Sequence, residues 1–402
     1  MCGAEILTML GFSSFAALLP QFVELWSLSG TEAGWITGIF FAGYTIAVPV
    51  LVSLTDRVDP KRIWLASAAI TVVAGLGFAF LADGFWTAML FRLLAGMGLA
   101  GTYMPGLKAL QDQVGGTHSR AVAFYTSSFG IGAGASYLVA SWLTELGGWP
   151  AAFWVPALLT MVAALIVLVV LPWSPPRDGH GPATGLLDFR PVLRNRSAVT
   201  FTLCYAFHNW ELFALRGWIV AYLAFVATSD GGSLWVTPEA VAAVLTILGM
   251  PASIWGNEMA IRGGRRRAAV IIMIASAGVC FVTGWTSFLI YPVAVAVALL
   301  HGLTVAGESS TVTAGAIGNA REGQRGQTMA LHSTVGFAGG FLGPLVFGMV
   351  LDVAGGPESQ LAWVFAFGHL GLVMLLGPLA IAMLRPAELP GDGASRTAQA
   401  RL

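Results

Sequence analysis

Apolar runs of about 20 residues, the length that carries a helix across roughly 30 Å of hydrocarbon, recur along the whole chain. They fall at 6–26, 33–54, 63–82, 86–108, 121–144, 150–172, 198–226, 239–260, 268–287, 290–313, 327–351 and 360–384. Six lie on each side of one long polar stretch, Trp173 to Ser197, whose Ser-Pro-Pro-Arg-Asp-Gly-His-Gly segment reads as a linker. The pattern predicts an all-α membrane protein of twelve transmembrane helices in two pseudo-symmetric six-helix bundles. These are 1–172 and 198–384, joined by a cytoplasmic linker at 173–197 and followed by a polar tail at 385–402 that reads as disordered.

Basic residues orient the spans. Arg57, Lys61 and Arg62 follow the second span, Arg120 the fourth, Arg262, Arg265, Arg266 and Arg267 the eighth, and Arg321 and Arg325 the tenth. The linker and the tail add more. The opposite loops hold Glu32, Asp83, Glu145, Asp230 and Glu358 and no Lys or Arg. Both termini are therefore expected in the cytoplasm and the chain in the cell (inner) membrane, as an even number of spans requires.

Composition agrees with this picture. The chain is 56% hydrophobic and 10% charged, against about 25% charged in soluble domains. Its formal net charge is zero, which leaves no case for nucleic-acid binding. Cys2, Cys204 and Cys280 offer neither a disulfide framework nor metal-site spacing. No Gly-x-x-x-x-Gly-Lys-Ser/Thr, His-Glu-x-x-His or Gly-x-Ser-x-Gly occurs, so ATP-driven pumping and enzyme activity are not expected. No cofactor and no resident metal are expected either. With no appended signalling domain or large polar loop, a sensor or scaffold fits less well than a transporter.

The halves overlay at an offset of about 205 residues, Arg120 falling on Arg325 at the start of spans five and eleven. Asp56-Arg57-Val58-Asp59-Pro60-Lys61-Arg62 occupies the slot that Ile261-Arg262-Gly263-Gly264-Arg265-Arg266-Arg267 fills in the second half. Duplicated halves working a mid-membrane site are a known transporter plan. The first of these loops resembles the major facilitator superfamily signature Gly-x-x-x-Asp-Arg-x-Gly-x-Arg/Lys-Arg/Lys. It keeps Asp56, Arg57, Lys61 and Arg62, with Val52 and Asp59 where glycines are usual. The second copy keeps Arg262, Gly264, Arg266 and Arg267, with Glu258 a stand-in for the acid. Arg92-x-x-x-Gly96-x-Gly98 is similar to the family's span-four signature. The general look of spans four, five and seven is similar to the cyanate and nitroimidazole transporter branch. The resemblance implies secondary transport by alternating access. Span five lacks the Gly-Pro motif of drug/proton antiporters, which favours an importer of a small anionic or polar compound over the alternative, a proton-coupled exporter of drugs. A lipid bilayer, a small-molecule substrate and protons are the expected partners, and the protein is read as a monomer.

An ionisable group in hydrocarbon costs about 3 kcal/mol on insertion scales, so each one within a span asks for a reason. Glu211 in span seven and Glu308 in span ten are the candidates for carrying a coupling proton; static ion pairs or helix–helix hydrogen bonds are the competing roles. Arg92 and Tyr103 in span four, His208, Asn209 and Arg216 in span seven, and His301 in span ten are the candidates for binding substrate. Arg216 competes as a structural partner for Glu211. Asp56, Arg57, Arg120, Glu258 and Arg325 are candidates for a cytoplasmic gate, Asp56 pairing with Arg325 or Arg321 and Glu258 with Arg120. Simple positive-inside anchoring explains the basic ones equally well.

Overall fold

The computed structural model describes residues 1–55, 57–113, 118–173, 189–231 and 234–393, with the backbone alone at Ser53, His118 and Ser119. Asp56 and most of the linker lie outside the described residues. Every regular element described is a helix. Span one is three short helices, α1 (Cys2–Met9), α2 (Ser14–Ala17) and α3 (Leu19–Trp26). Then follow α4 (Gly30–Leu54), α5 (Pro60–Leu81), α6 (Phe85–Gln113), α7 (His118–Gly147) and α8 (Ala151–Val170). A short α9 (Arg190–Leu193) precedes α10 (Arg196–Ser229), α11 (Pro238–Gly263) and α12 (Arg265–Trp285). Span ten is divided into α13 (Tyr291–Gly307) and α14 (Ser309–Gly318), and α15 (Arg325–Val353) and α16 (Gln360–Leu384) complete the set.

Ten of these segments are long and apolar enough to cross a membrane. The other two of the twelve are span one, which is broken, and α7, whose serines and glycines dilute its hydropathy. The break in span one is chemically covered. Pro20, in the first turn of α3, has no amide to donate. At the other bend Ser13 N donates to Ser136 Oγ (3.0 Å), Ser13 Oγ to Ala133 O (3.2 Å) and Ser14 Oγ to Ala152 O (2.9 Å). Irregular backbone at membrane depth survives only when buried and bonded in this way. Large side chains such as Val169, Phe80 and Ile254 are exposed on helix faces, as lipid contact requires.

The chain forms two compact units: Met1–Leu28 with Trp35–Thr184, and Ser29–Gly34 with Gly185–Leu402. In the first, an aromatic stack of Phe22, Phe78, Trp149 and Phe153 fills one end, with Phe78 and Phe153 stacked at 4.1 Å. At the other end Lys61 is buried. Its Nζ donates to Leu168 O (2.8 Å) and Leu171 O (2.5 Å) and lies 4.0 Å from the Trp173 ring centroid. Lys61 thus caps the last turn of α8, where carbonyls point without partners and a cation is favoured. Lys61→Met leaves those carbonyls short of a donor, at about 1–3 kcal/mol. A lower midpoint of thermal unfolding in detergent is expected, and an unchanged midpoint would exclude the cap.

In the second unit α10 packs on α15, α16 and α14 around Phe201, Cys204, Met273, Val312 and Met374. Asp352, near the end of α15, accepts from Gly30 N (2.8 Å), Thr31 N (2.7 Å) and Thr31 Oγ1 (2.6 Å), so it caps the first turn of α4 from afar. Residues 385–393 of the tail, expected to be disordered, are packed instead. Asp392 pairs with Arg265 (2.8 Å), both buried, and Arg265 Nη1 also donates to Asn257 Oδ1 (3.0 Å) and Thr311 O (2.9 Å). Glu388 accepts from the amides of Arg265 (2.7 Å) and Arg266 (3.1 Å), the open N-terminus of α12.

Candidate functional site

In the first unit Arg92 projects from α6 into a cavity of about 60 Å³, lined by Phe12, Phe40, Phe91, Thr71, Thr102 and others. Its guanidinium carbon lies 4.5 Å from the Phe40 ring centroid and 5.7 Å from that of Phe15. The approach of α6 to α4 depends on Gly96, where a Cβ would stand 1.8 Å from Phe40 O. Arg92 is buried, its Nε has no hydrogen-bond partner, and among the described residues it makes no ion pair. An uncompensated guanidinium among aromatic rings and hydroxyls is set up to take an anion with a less polar body. Tyr103, the residue after Thr102, is not among the cavity's walls. It stacks on Tyr125 and Phe129, and Tyr125 Oη donates to Glu5 Oε2 at 2.8 Å. Glu5 is a buried carboxylate that sequence reasoning missed. It stands one residue before the apolar run that was read as span one, yet α1 already begins at Cys2. Its place four residues before Met9, on the buried face, is the signal that could have found it.

In the second unit four ionisable residues of α10 and span ten form two fully buried pairs. His208 Nδ1 lies 3.3 Å from Glu308 Oε1, and His301 Nε2 lies 2.9 Å from Glu211 Oε1. Ser276 Oγ (2.6 Å) and Cys280 Sγ (3.1 Å) also donate to Glu211 Oε1. Glu308 occupies the joint between α13 and α14, where α11 comes closest: a Cβ on Gly256 would stand 1.8 Å from Gly307 O. Discontinuous helices at mid-membrane are where transporters place ion and substrate groups. Glu308 Oε2 and His208 Nε2 make no hydrogen bond within the protein. Asn209, the residue after His208, is buried, and Arg216 is half-buried further along α10.

The cytoplasmic candidates are placed less tightly. Arg57, Arg120 and Arg325 are exposed. Glu258 pairs with Arg262 four residues on, at 2.7 Å.

The family model of the Major Facilitator Superfamily matches residues 1–344. The chain belongs to the Major Facilitator Superfamily. Human protein spinster homolog 1 is 27% identical over 239 residues, 56% of this chain and 44% of that protein. The phosphoglycerate transporter protein of Salmonella typhimurium is 24% identical over 310 residues, 68% of this chain and 65% of that one. The stretch shared with the spinster protein thus spans less than half its length. Among solved structures, this superfamily member resembles a bacterial homolog of the human lysosomal transporter Spinster, inward-facing and occupied. That likeness has a TM-score of 0.69 and 16% identity over 95% of this chain and 93% of that one. The nucleoside transporter NupG gives a TM-score of 0.71 and 15% identity over 95% and 98%. At such identities these structures establish the shared fold, with its twelve helices in two bundles.

Proposed function

We propose that the protein is a secondary active transporter that imports a small anionic or polar compound together with protons by alternating access. The observation that carries this reading is Arg92, a buried guanidinium that has no carboxylate partner among the described residues and faces a walled cavity. Two relatives support an anion: their names assign them phosphoglycerate and sphingosine-1-phosphate, both phosphate-bearing. Glu308, at the joint in span ten and paired with His208, carries the coupling proton. A carboxyl in a sealed apolar setting is cheaper to keep neutral than charged, so gain or loss of its proton biases the conformational equilibrium. Arg57, Arg120 and Arg325 belong to a cytoplasmic gate with Glu258. The protein works as a monomer in the inner membrane with both termini cytoplasmic.

The aromatic lining of the Arg92 cavity, with Phe12, Phe40, Phe78, Phe91 and Phe153, favours one second reading, export of hydrophobic compounds. Liposomes holding the purified protein and a pH-sensitive dye separate the two. Under the import reading, one small anion from a panel acidifies the lumen, and Arg92→Ala removes that response by about tenfold or more, the value of a charged hydrogen bond lost from a binding site. A response to lipophilic cations or neutral drugs, with none to any anion, would overturn it.

A further inference from the structure

Glu211, Cys280 and His301 reach one point from three helices, α10, α12 and α13. Their donor atoms all lie within 4.8 Å of one another, and the three side chains are fully buried. The pairwise separations are 2.9 Å from Oε1 to Nε2, 3.1 Å from Oε1 to Sγ and 3.4 Å from Sγ to Nε2. We propose that these three residues form a binding site for a divalent transition metal, with Zn²⁺ the ion that their donor set fits best. This site goes beyond the transport reading and does not depend on it.

Four observations converge. The first is size. A tetrahedral ion about 2.0 Å from nitrogen and oxygen and about 2.3 Å from sulfur holds its ligands about 3.3–3.6 Å apart, so the trio needs to open by only a few tenths of an ångström. The second is the histidine tautomer. The single proton of Thr283 Oγ1 goes to Val279 O at 2.8 Å, so that oxygen accepts from His301 Nδ1, 3.1 Å away. The neutral ring then turns the Nε2 lone pair toward Glu211 and Cys280, the arrangement in which a second neighbour fixes a metal-binding imidazole. The third is Glu211 Oε2, which is buried and makes no hydrogen bond within the protein, an unpartnered acceptor that a bound cation satisfies; the fourth tetrahedral position is left to a water. The fourth is charge. One dication, one carboxylate, one thiolate and one neutral imidazole sum to zero, so the loaded site carries no net charge into the bilayer interior. Binding displaces the thiol proton and the proton shared by Glu211 and His301. Oxygen, nitrogen and sulfur together suit Zn²⁺; a site for Cu⁺ would favour thiolate and thioether ligands over a carboxylate.

The test uses the full chain, produced with zinc in the growth medium, purified in detergent and shown to be monodisperse. Metal content is read by elemental mass spectrometry. About one zinc per chain is expected, falling about tenfold or more in Cys280→Ser and in His301→Asn. Thr283→Val, which leaves all three ligands in place, is expected to weaken affinity about 10–100-fold. Cobalt substituted for zinc should show a thiolate-to-metal absorption that Cys280→Ser abolishes. Three results would each overturn the site: wild-type protein with only trace zinc, equal zinc in wild type and both ligand variants, or a cobalt spectrum with no thiolate band.

Discussion

Glu308→Gln protein should exchange substrate across a membrane and yet fail to concentrate it. Glutamine keeps the shape and one acceptor of the neutral carboxyl, so the pair with His208 at the α13–α14 joint survives. It has no proton to release, so substrate movement is no longer tied to the proton gradient. One pH unit is worth about 1.4 kcal/mol per proton, which for a neutral one-to-one cycle sustains a tenfold concentration ratio. In liposomes with a one-unit gradient the wild type is expected to approach that ratio. The variant should settle at equal concentrations while counterflow of labelled substrate continues. A variant that still accumulates substrate tenfold would remove Glu308 from the coupling role.

The second large effect is on stability. Asp392→Ala leaves the Arg265 guanidinium buried with Asn257 and Thr311 as its remaining acceptors. Breaking a buried ion pair from one side costs about 3–5 kcal/mol, whereas replacing both partners by apolar groups costs little. The single variant should therefore unfold at a clearly lower temperature in detergent, followed by tryptophan fluorescence. The double variant Arg265→Met with Asp392→Leu should recover most of the loss. Equal losses in single and double variants would show that packing of the tail, and not the pair, holds that end of the unit.

The spans were legible because hydrocarbon admits only long apolar helices, and the charged candidates because each is costly there. What the apolar pattern hid was where helices break. Pro49, Pro105, Pro156, Pro251, Pro344 and Pro378 all sit inside continuous helices. Span ten instead breaks at Glu308, with no proline nearby. Neighbouring helices decide which interruption is tolerated, and sequence spacing does not report them. The spacing placed His301 and Glu308 on one face. The structure gives each a different partner on α10, Glu211 for one and His208 for the other. Arg265 was one basic residue among four in a loop, with nothing local to mark it as the buried one. Its partner lies 127 residues away. Glu5, Asp352 and Asp392 were missed for a related reason: the first two stand just outside an apolar run and the third in the polar tail, where an acid normally meets water.

That separation between Arg265 and Asp392 has a bearing on biogenesis. The helices α13 to α16 are all synthesised between the two halves of the pair. Throughout that interval α12 carries an arginine destined for burial without its carboxylate, and the amides at its first turn wait for Glu388. The end of the second unit therefore closes late, after its last helix is in place. Chains interrupted before Glu388 are left with an open, charged end, the kind of local defect that quality-control proteases find.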